Sequence, residues 1–138
     1  MSQLLEEILS RENMQLAYKR VKANKGAGGV DGITIEEVDK YLKENWEDIQ
    51  EKIRRRKYKP KPVKRVEIPK PNGGVRNLGI PTVVDRIIEQ AIAQRLTPIV
   101  EPHFSEYSYG FRPGRRAQQA VIKLLEYFND GYTYVVDI

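Results

Sequence analysis

Cysteine is absent from this chain, and histidine occurs once, at His103. The first absence excludes a disulfide framework and a thiolate metal site, and the second excludes a histidine cluster. Long apolar runs are missing as well. No stretch approaches the roughly 20 residues of a membrane-spanning helix, and the opening MSQLLEEILS is acidic where a signal peptide is basic. The expectation is a soluble intracellular protein with no membrane partner. Acid is scarcer than base, 19 Asp and Glu against 24 Lys and Arg, so a net charge of +5 favours an anionic partner. That bias concerns partners and not fold. With 138 residues, 40% of them hydrophobic, one domain with a modest core is expected.

What is present centres on Arg65–Arg86, RVEIPKPNGGVRNLGIPTVVDR. An alternating run with Val66 and Ile68 leads through Pro69-Lys70-Pro71-Asn72-Gly73-Gly74 into a second run with Val75, Leu78 and Ile80. Two short strands around a glycine turn predict a β-hairpin over 65–80. Lys70 before the turn and Arg76 after it come close on facing strands, a pair that suits a triphosphate or a nucleic-acid backbone. Ordinary solvated cations on a surface hairpin are the plain alternative.

Helices are predicted on both sides. Leu4, Leu5, Ile8 and Leu9 make a short amphipathic stretch, and Ser10 caps a second helix through Val21 with Met14, Ala17, Tyr18 and Val21 on one side. Asn24–Gly32 holds four glycines in nine residues, either a flexible cover over something bound or a plain helix-to-helix loop. Thr34-Ile35-Glu36-Glu37 reads as a capping box. It opens a helix with Ile35, Val38, Leu42, Ile49 and Ile53 at helical spacing and Trp46 near the same face.

That helix runs into residues 52–65, KIRRRKYKPKPVKR, which carry nine Lys or Arg and no acid. Charge runs are commonly solvated faces. This one contains Tyr58 and two prolines that hold it extended, and it feeds the hairpin, so phosphate contacts along it are expected. After the hairpin, Thr82 caps a helix with Val84, Ile87, Ile88, Ala91, Ile92 and Leu96, which Pro98 is expected to stop. Phe104, Tyr107, Tyr109 and Phe111 then precede Arg112, Arg115 and Arg116, and these arginines are expected to face a ligand. A last helix, about 115–129, gives way at Asn129-Asp130-Gly131 to Tyr132–Ile138, a segment of high β propensity. A strand needs neighbours, so the expectation is a chain cut at a domain boundary.

The glycine loop NKGAGGVDG, the hairpin IPKPNGGVRNLGIPTVVDR, the segment FSEYSYGFRPGRRAQQA and the terminal YVVDI, in that order, resemble the amino-terminal part of bacterial group II intron reverse transcriptases, also called maturases. The likeness covers almost the whole chain. It implies an α+β fold: a mostly helical fingers subdomain of a right-hand polymerase over 1–131, with a lid loop at 24–32, the basic run at 52–65, the hairpin at 65–80, and the first palm strand begun at 132–138. The implied activity is RNA-directed DNA polymerisation coupled to intron splicing and mobility, in a cytoplasmic ribonucleoprotein. The implied partners are group II intron RNA, template RNA and primer DNA.

By this resemblance Lys70 and Arg76 match the fingers cations that hold the incoming dNTP triphosphate. Lys25–Asp31 match the lid loop over template and primer, with Lys25, Gly26 and Gly28 among the expected RNA contacts. Arg112, with Arg115 and Arg116, matches the segment lining the template path. Arg54, Arg55, Arg56, Lys57, Lys59, Lys61, Lys64, Arg65 and Arg86 complete the expected RNA contacts. Asn77 stands where the family usually has proline, which leaves Arg76 less restricted. The two-metal chemistry needs carboxylates that hold Mg2+, and these are expected outside this chain, with Asp137 two positions short of the matching aspartate. The chain alone is therefore expected to be inactive, with no catalytic or metal residue of its own. A stand-alone RNA-binding module or splicing cofactor is the alternative. In either case the exposed strand 132–138 offers a route to a homo-oligomer.

Overall fold

A computed structural model describes residues 2–137. They contain five α-helices, one 3-10 turn and one two-stranded sheet, so the composition is α+β as expected. The chain divides into two compact units, Met1–Thr97 and Pro98–Ile138.

In the first unit, α1 (Gln3–Leu9) and α2 (Arg11–Ala23) meet at Ser10. Ser10 Oγ donates to the Glu7 carbonyl at 2.8 Å and accepts the Asn13 amide at 3.4 Å, so one hydroxyl closes one helix and opens the next. The capping box forms reciprocally: the Glu37 amide donates to Thr34 Oγ1 at 3.3 Å and the Thr34 amide to Glu37 Oε2 at 3.1 Å. It opens α3 (Val38–Arg54).

The far end of α3 closes in a Schellman turn. The Arg56 amide bonds the Ile53 carbonyl at 3.0 Å and the Lys57 amide bonds Lys52 at 2.8 Å, while Arg56 itself sits at φ +57°. That conformation normally belongs to glycine, and here it turns the basic run off the helix.

The core is built where three helical segments converge. Met14, Ala17 and Val21 of α2, Ile35, Val38 and Ile49 from α3 and its lead-in, and Val83, Val84, Ile87 and Ala91 of α4 (Val83–Val100) are all buried. Each fully buried Val or Ile contributes on the order of 2 kcal/mol of transfer free energy. One polar joint lies among them: buried Asn13 donates through Nδ2 to the Ile8 and Ala91 carbonyls at 2.8 and 3.0 Å, and its Oδ1 accepts from Gln94.

Between α3 and α4 the chain forms β1 (Lys64–Pro69) and β2 (Val75–Ile80), an antiparallel pair in the register Lys64↔Ile80 to Pro69↔Val75. Gly73 and Gly74, at φ +86° and +82°, make the reversal, and the Lys70 amide bonds the Gly74 carbonyl at 3.0 Å. Only Val66 and Ile80 in the two strands are partly covered, so the hairpin is an arm standing in solvent.

Two sequence expectations are corrected here. Pro98 does not stop α4, which continues to Val100. Proline's fixed φ is helical and the residue falls near the helix end, so a single missing amide bond is tolerated. The expected terminal strand does not form either. Residues 132–137 have no ladder, because the described residues provide no strand beside them, and Ile138 lies outside the described residues.

The second unit holds a 3-10 turn (Glu101–His103), a turn-rich segment and α5 (Ala117–Asn129). That last helix begins two residues later than expected, with the Arg116 amide donating to Gln119 Oε1 at 2.8 Å. None of its residues is buried, and Val121, Ile122, Leu124, Leu125 and Phe128 are exposed. No helix of the described residues is long and apolar enough to cross a membrane.

Candidate nucleic-acid interface

The ladder decides which hairpin side chains share a face. Residues alternate along a strand and directly opposed residues lie on the same side. From the register, Lys64, Val66, Ile68, Arg76, Leu78 and Ile80 share one face, and continuing the alternation places Lys70 with them. Arg65, Glu67, Asn77 and Gly79 take the other. Lys70 and Arg76 therefore stand together at the tip, both exposed, beside the exposed apolar surfaces of Ile68 and Leu78. Neither has a carboxylate partner among the described residues.

On the opposite face Asn77 has work of its own. Its Oδ1 accepts Arg65 Nε and Nη2 at 3.1 and 3.0 Å, a bond that a proline side chain there would not offer. Arg65 is thus tied within the hairpin, and Glu67 stands 3.8 Å from it.

The basic run is split into paired and free cations. Arg54 forks onto Glu6 at 3.2 and 3.1 Å, and the hydrogen bond from Arg54 is the main reason the Glu6 carboxyl titrates below its ordinary value. Arg55 pairs with Glu51, and Lys61 with Asp31 at 3.0 Å. Arg56, Lys57, Lys59 and Lys64 are exposed and have no carboxylate partner among the described residues. Lys57, Lys59 and Lys61 also line a cavity of about 280 Å³, together with Tyr41, Tyr58, Ile49 and Val84.

The glycine loop is docked. Gly29 lies so close to the chain entering α4 that a Cβ would stand 2.6 Å from Thr82 Cα. Gly26 leaves no room for a side chain beside the Arg86 guanidinium, which donates through Nη2 to the Ala27 carbonyl. Arg86 is therefore half-buried and engaged with the loop. A Cβ on Gly28 would meet the Ile33 carbonyl oxygen at 3.0 Å, and Lys25 is exposed at φ +47°. Of the loop residues expected to contact RNA, only Lys25 offers a free charged side chain.

Among the three arginines of the second unit, Arg112 departs from the ligand-facing expectation. Its side chain is 8% exposed, its Nη2 stands 2.8 Å from Glu101, and Nη1 donates to the Ser105 and Ser108 carbonyls at 2.6 and 2.9 Å. The guanidinium is committed to folding the 101–112 turn. Arg115 donates to the Glu106 carbonyl at 2.9 Å and lies 5.5 Å from the Tyr109 ring centroid, beside a groove that Lys123 and Gln119 also line. Arg116 is exposed.

Sequence reasoning missed Asp85. It is 3% exposed and accepts the Tyr58 hydroxyl at 2.6 Å, the Lys61 amide at 3.1 Å and the Thr82 hydroxyl at 2.6 Å. Burial foremost, and then the bond to Asp85, push the Tyr58 hydroxyl well above the ordinary tyrosine range. The Thr82-x-x-Asp85 spacing of a capping box was the one visible signal. No group of three His, Cys, Asp or Glu among the described residues could hold a metal ion, so these residues do not fit a Mg2+ site.

With this geometry in place, residues 68–138 match the reverse transcriptase (RNA-dependent DNA polymerase) family, and the chain belongs to that family. Intron-encoded proteins are among the relatives it resembles. The group II intron-encoded protein LtrA of Lactococcus lactis subsp. cremoris is 33% identical over 135 residues, covering 97% of this chain and 22% of LtrA. The putative COX1/OXI3 intron 2 protein of Saccharomyces cerevisiae is 34% identical over 115 residues, 81% of this chain and 13% of that protein. Protein YkfC of Escherichia coli (strain K12) is 37% identical over 120 residues, 86% of this chain and 32% of YkfC.

The chain thus spans a third or less of the length of these relatives. Among solved structures, a chain of a partial Cas6-RT-Cas1--Cas2 complex shares the fold with a TM-score of 0.58 at 20% identity, over 99% of this chain and 22% of that one. The likenesses are thus to reverse transcriptases and, among them, to group II intron-encoded proteins.

Proposed function

We propose that this chain is the fingers portion of an RNA-directed DNA polymerase of the group II intron type, in which Lys70 and Arg76 hold the phosphates of the incoming dNTP. The observation that carries the reading is the shared face of these two cations at the tip of an exposed hairpin, free of carboxylates among the described residues. A triphosphate needs several charge-assisted donors converging from one side, and two cations on one hairpin face supply them. In the first unit the free cations Arg56, Lys57, Lys59 and Lys64, with Lys25, are the RNA contacts; in the second unit, taken by itself, Arg115 and Arg116 are. Palm carboxylates from elsewhere would supply the metal-dependent chemistry, and intron RNA binding would give the maturase role in a cytoplasmic ribonucleoprotein. The exposed segment 132–137 offers the route for self-association.

The test of the nucleotide role is primer extension by a reverse transcriptase that includes these residues. Lys70→Ala and Arg76→Ala raise the dNTP KM and leave template affinity unchanged; unaltered nucleotide dependence refutes the role. For the RNA surface, this chain is titrated with a structured intron-like RNA and an unstructured homopolymer across salt concentrations. A slope of about one unit per phosphate neutralised supports the reading, and salt-indifferent weak binding opposes it. Tight binding with no nucleotide effect in any context would favour a stand-alone RNA-binding module.

A further inference from the structure

The hairpin that carries Lys70 and Arg76 is held by almost nothing along its length. Ten of its twelve strand residues are exposed, so its direction is decided where its two legs join the unit. Both legs end on one side chain. The incoming leg reaches Asp85 through the Tyr58 hydroxyl, on Oδ1 at 2.6 Å, and the Lys61 amide, on Oδ2 at 3.1 Å. The outgoing leg reaches Oδ2 through the Thr82 hydroxyl at 2.6 Å, two residues beyond β2, and the Asp85 amide returns a bond to Thr82 Oγ1 at 3.1 Å.

We propose that Asp85, acting with Tyr58, is a positioning residue that sets the direction in which the hairpin presents Lys70 and Arg76. The inference rests on the nucleotide-binding reading of those two cations. Neither Asp85 nor Tyr58 stands at the tip, and both act through the arm.

The lever is long enough to matter. Six residues at about 3.3 Å each make an arm of about 20 Å, so a swing of roughly 10° at the root moves the tip about 3.5 Å. Charge-assisted bonds to a phosphate tolerate only a few tenths of an ångström, and a misplacement of about 1 Å can cost on the order of 100-fold in rate. The glycine loop meets the same root. Gly29 packs on Thr82, and Asp31, whose side chain is 9% exposed, accepts Lys61 Nζ at 3.0 Å and the Ile33 amide at 3.2 Å. The loop therefore meets the hairpin root at Thr82 and Lys61, two of the residues that bond Asp85.

A helix cap alone would need only the Thr82 bonds. The Tyr58 and Lys61 bonds contribute nothing to capping α4, so they separate the two roles. Tyr58→Phe cuts the incoming leg and leaves the cap intact.

The direct test uses this chain, whose lack of cysteine makes two introduced thiols unique. Spin labels at Asn72→Cys on the turn and Glu44→Cys on α3 report the direction of the arm. Tyr58→Phe and Asp85→Asn broaden or shift the label distance distribution, while far-ultraviolet circular dichroism stays as in the parent. An unchanged distribution in folded Tyr58→Phe protein overturns the anchor. In a reverse transcriptase carrying the same residues, Tyr58→Phe raises the dNTP KM about 10-fold with template Kd unchanged, and its effect shrinks in a Lys70→Ala background because the positioned cation is already gone.

The two ways of failing read differently. Equal effects of Tyr58→Phe with and without Lys70 overturn the positioning role. Broadened label distances with a nucleotide KM indifferent to Lys70→Ala and Arg76→Ala overturn the nucleotide reading, and the positioning role falls with it.

Discussion

Arg112 and Glu101 form the best-shielded ion pair among the described residues, with Nη2 2.8 Å from Oε1 and the two side chains 8% and 28% exposed. Nε donates to the same oxygen at 3.0 Å, while Nη1 collects two carbonyls of the intervening turn. An arginine in a turn-rich aromatic segment thus serves as the turn's internal scaffold.

Arg112→Ala is expected to destabilise the 101–112 turn by about 2 kcal/mol, since it strands Glu101 and two carbonyls together. Hydrogen exchange at the Phe104 and Ser108 amides, which bond within this turn, measures the loss. Arg116→Ala, on an exposed side chain, leaves the same amides within a few tenths of a kcal/mol of the parent.

Arg56→Gly is expected to stabilise the first unit by up to about 1 kcal/mol. Arg56 occupies the left-handed position of the Schellman turn after α3, where glycine avoids the Cβ penalty. The same substitution removes one free cation, so RNA affinity falls and its salt slope drops by about one unit if Arg56 contacts a phosphate. Opposite movements of stability and affinity distinguish a cation kept for binding from one kept for folding.

Gly29→Ala and Gly26→Ala should not cost the same. A methyl group at Gly29 meets the Thr82 backbone at 2.6 and 2.8 Å, which must move bodily, and a loss of about 2 kcal/mol is expected in denaturant unfolding. At Gly26 the obstacle is the end of the flexible Arg86 side chain. It can swing aside, giving up its bond to Ala27, for about 1 kcal/mol.

Alkaline pH should loosen the hairpin root. The Tyr58 hydroxyl titrates above its ordinary value of 10.0 because burial, and then the donated bond to Asp85, oppose the phenolate. A raised pKa in the folded state means the stabilisation is complete below pH 10.0 and is lost as pH climbs from there towards the folded value. Unfolding free energy therefore falls above that pH, and Tyr58→Phe flattens this part of the profile. Difference absorbance of tyrosinate in the parent and in Tyr58→Phe locates the same group, whose ionisation lies above pH 10.0.

The sequence made some of this architecture legible and hid the rest for physical reasons. Ser10, the Thr34–Glu37 box and the Gly73-Gly74 turn act over three or four residues, so their patterns could be read directly. The alternation around the turn likewise placed Lys70 near Arg76. Asp85 gathers donors 3, 24 and 27 positions away, and no local period reports such a convergence. The glycine loop stayed open between a cover and a plain connection because glycine serves close approach as well as freedom, and Gly29 here serves the former. Pro98 misled because a breaker in mid-helix is tolerated near an end. The apolar run after Gly131 has high β propensity, but propensity cannot supply a ladder partner.

Lys61 lies between Pro60 and Pro62, so its amide is the one backbone donor across those three positions, and that amide reaches Asp85. The anchor therefore reads the main chain at position 61 and ignores the side chain. Any residue but proline, which alone lacks the N–H, can supply that donor. The bond to Asp85 should accordingly survive any substitution at position 61 except proline, even one that gives up the separate Lys61–Asp31 pair, whereas Tyr58 and Asp85, which bond through their side chains, should tolerate far less.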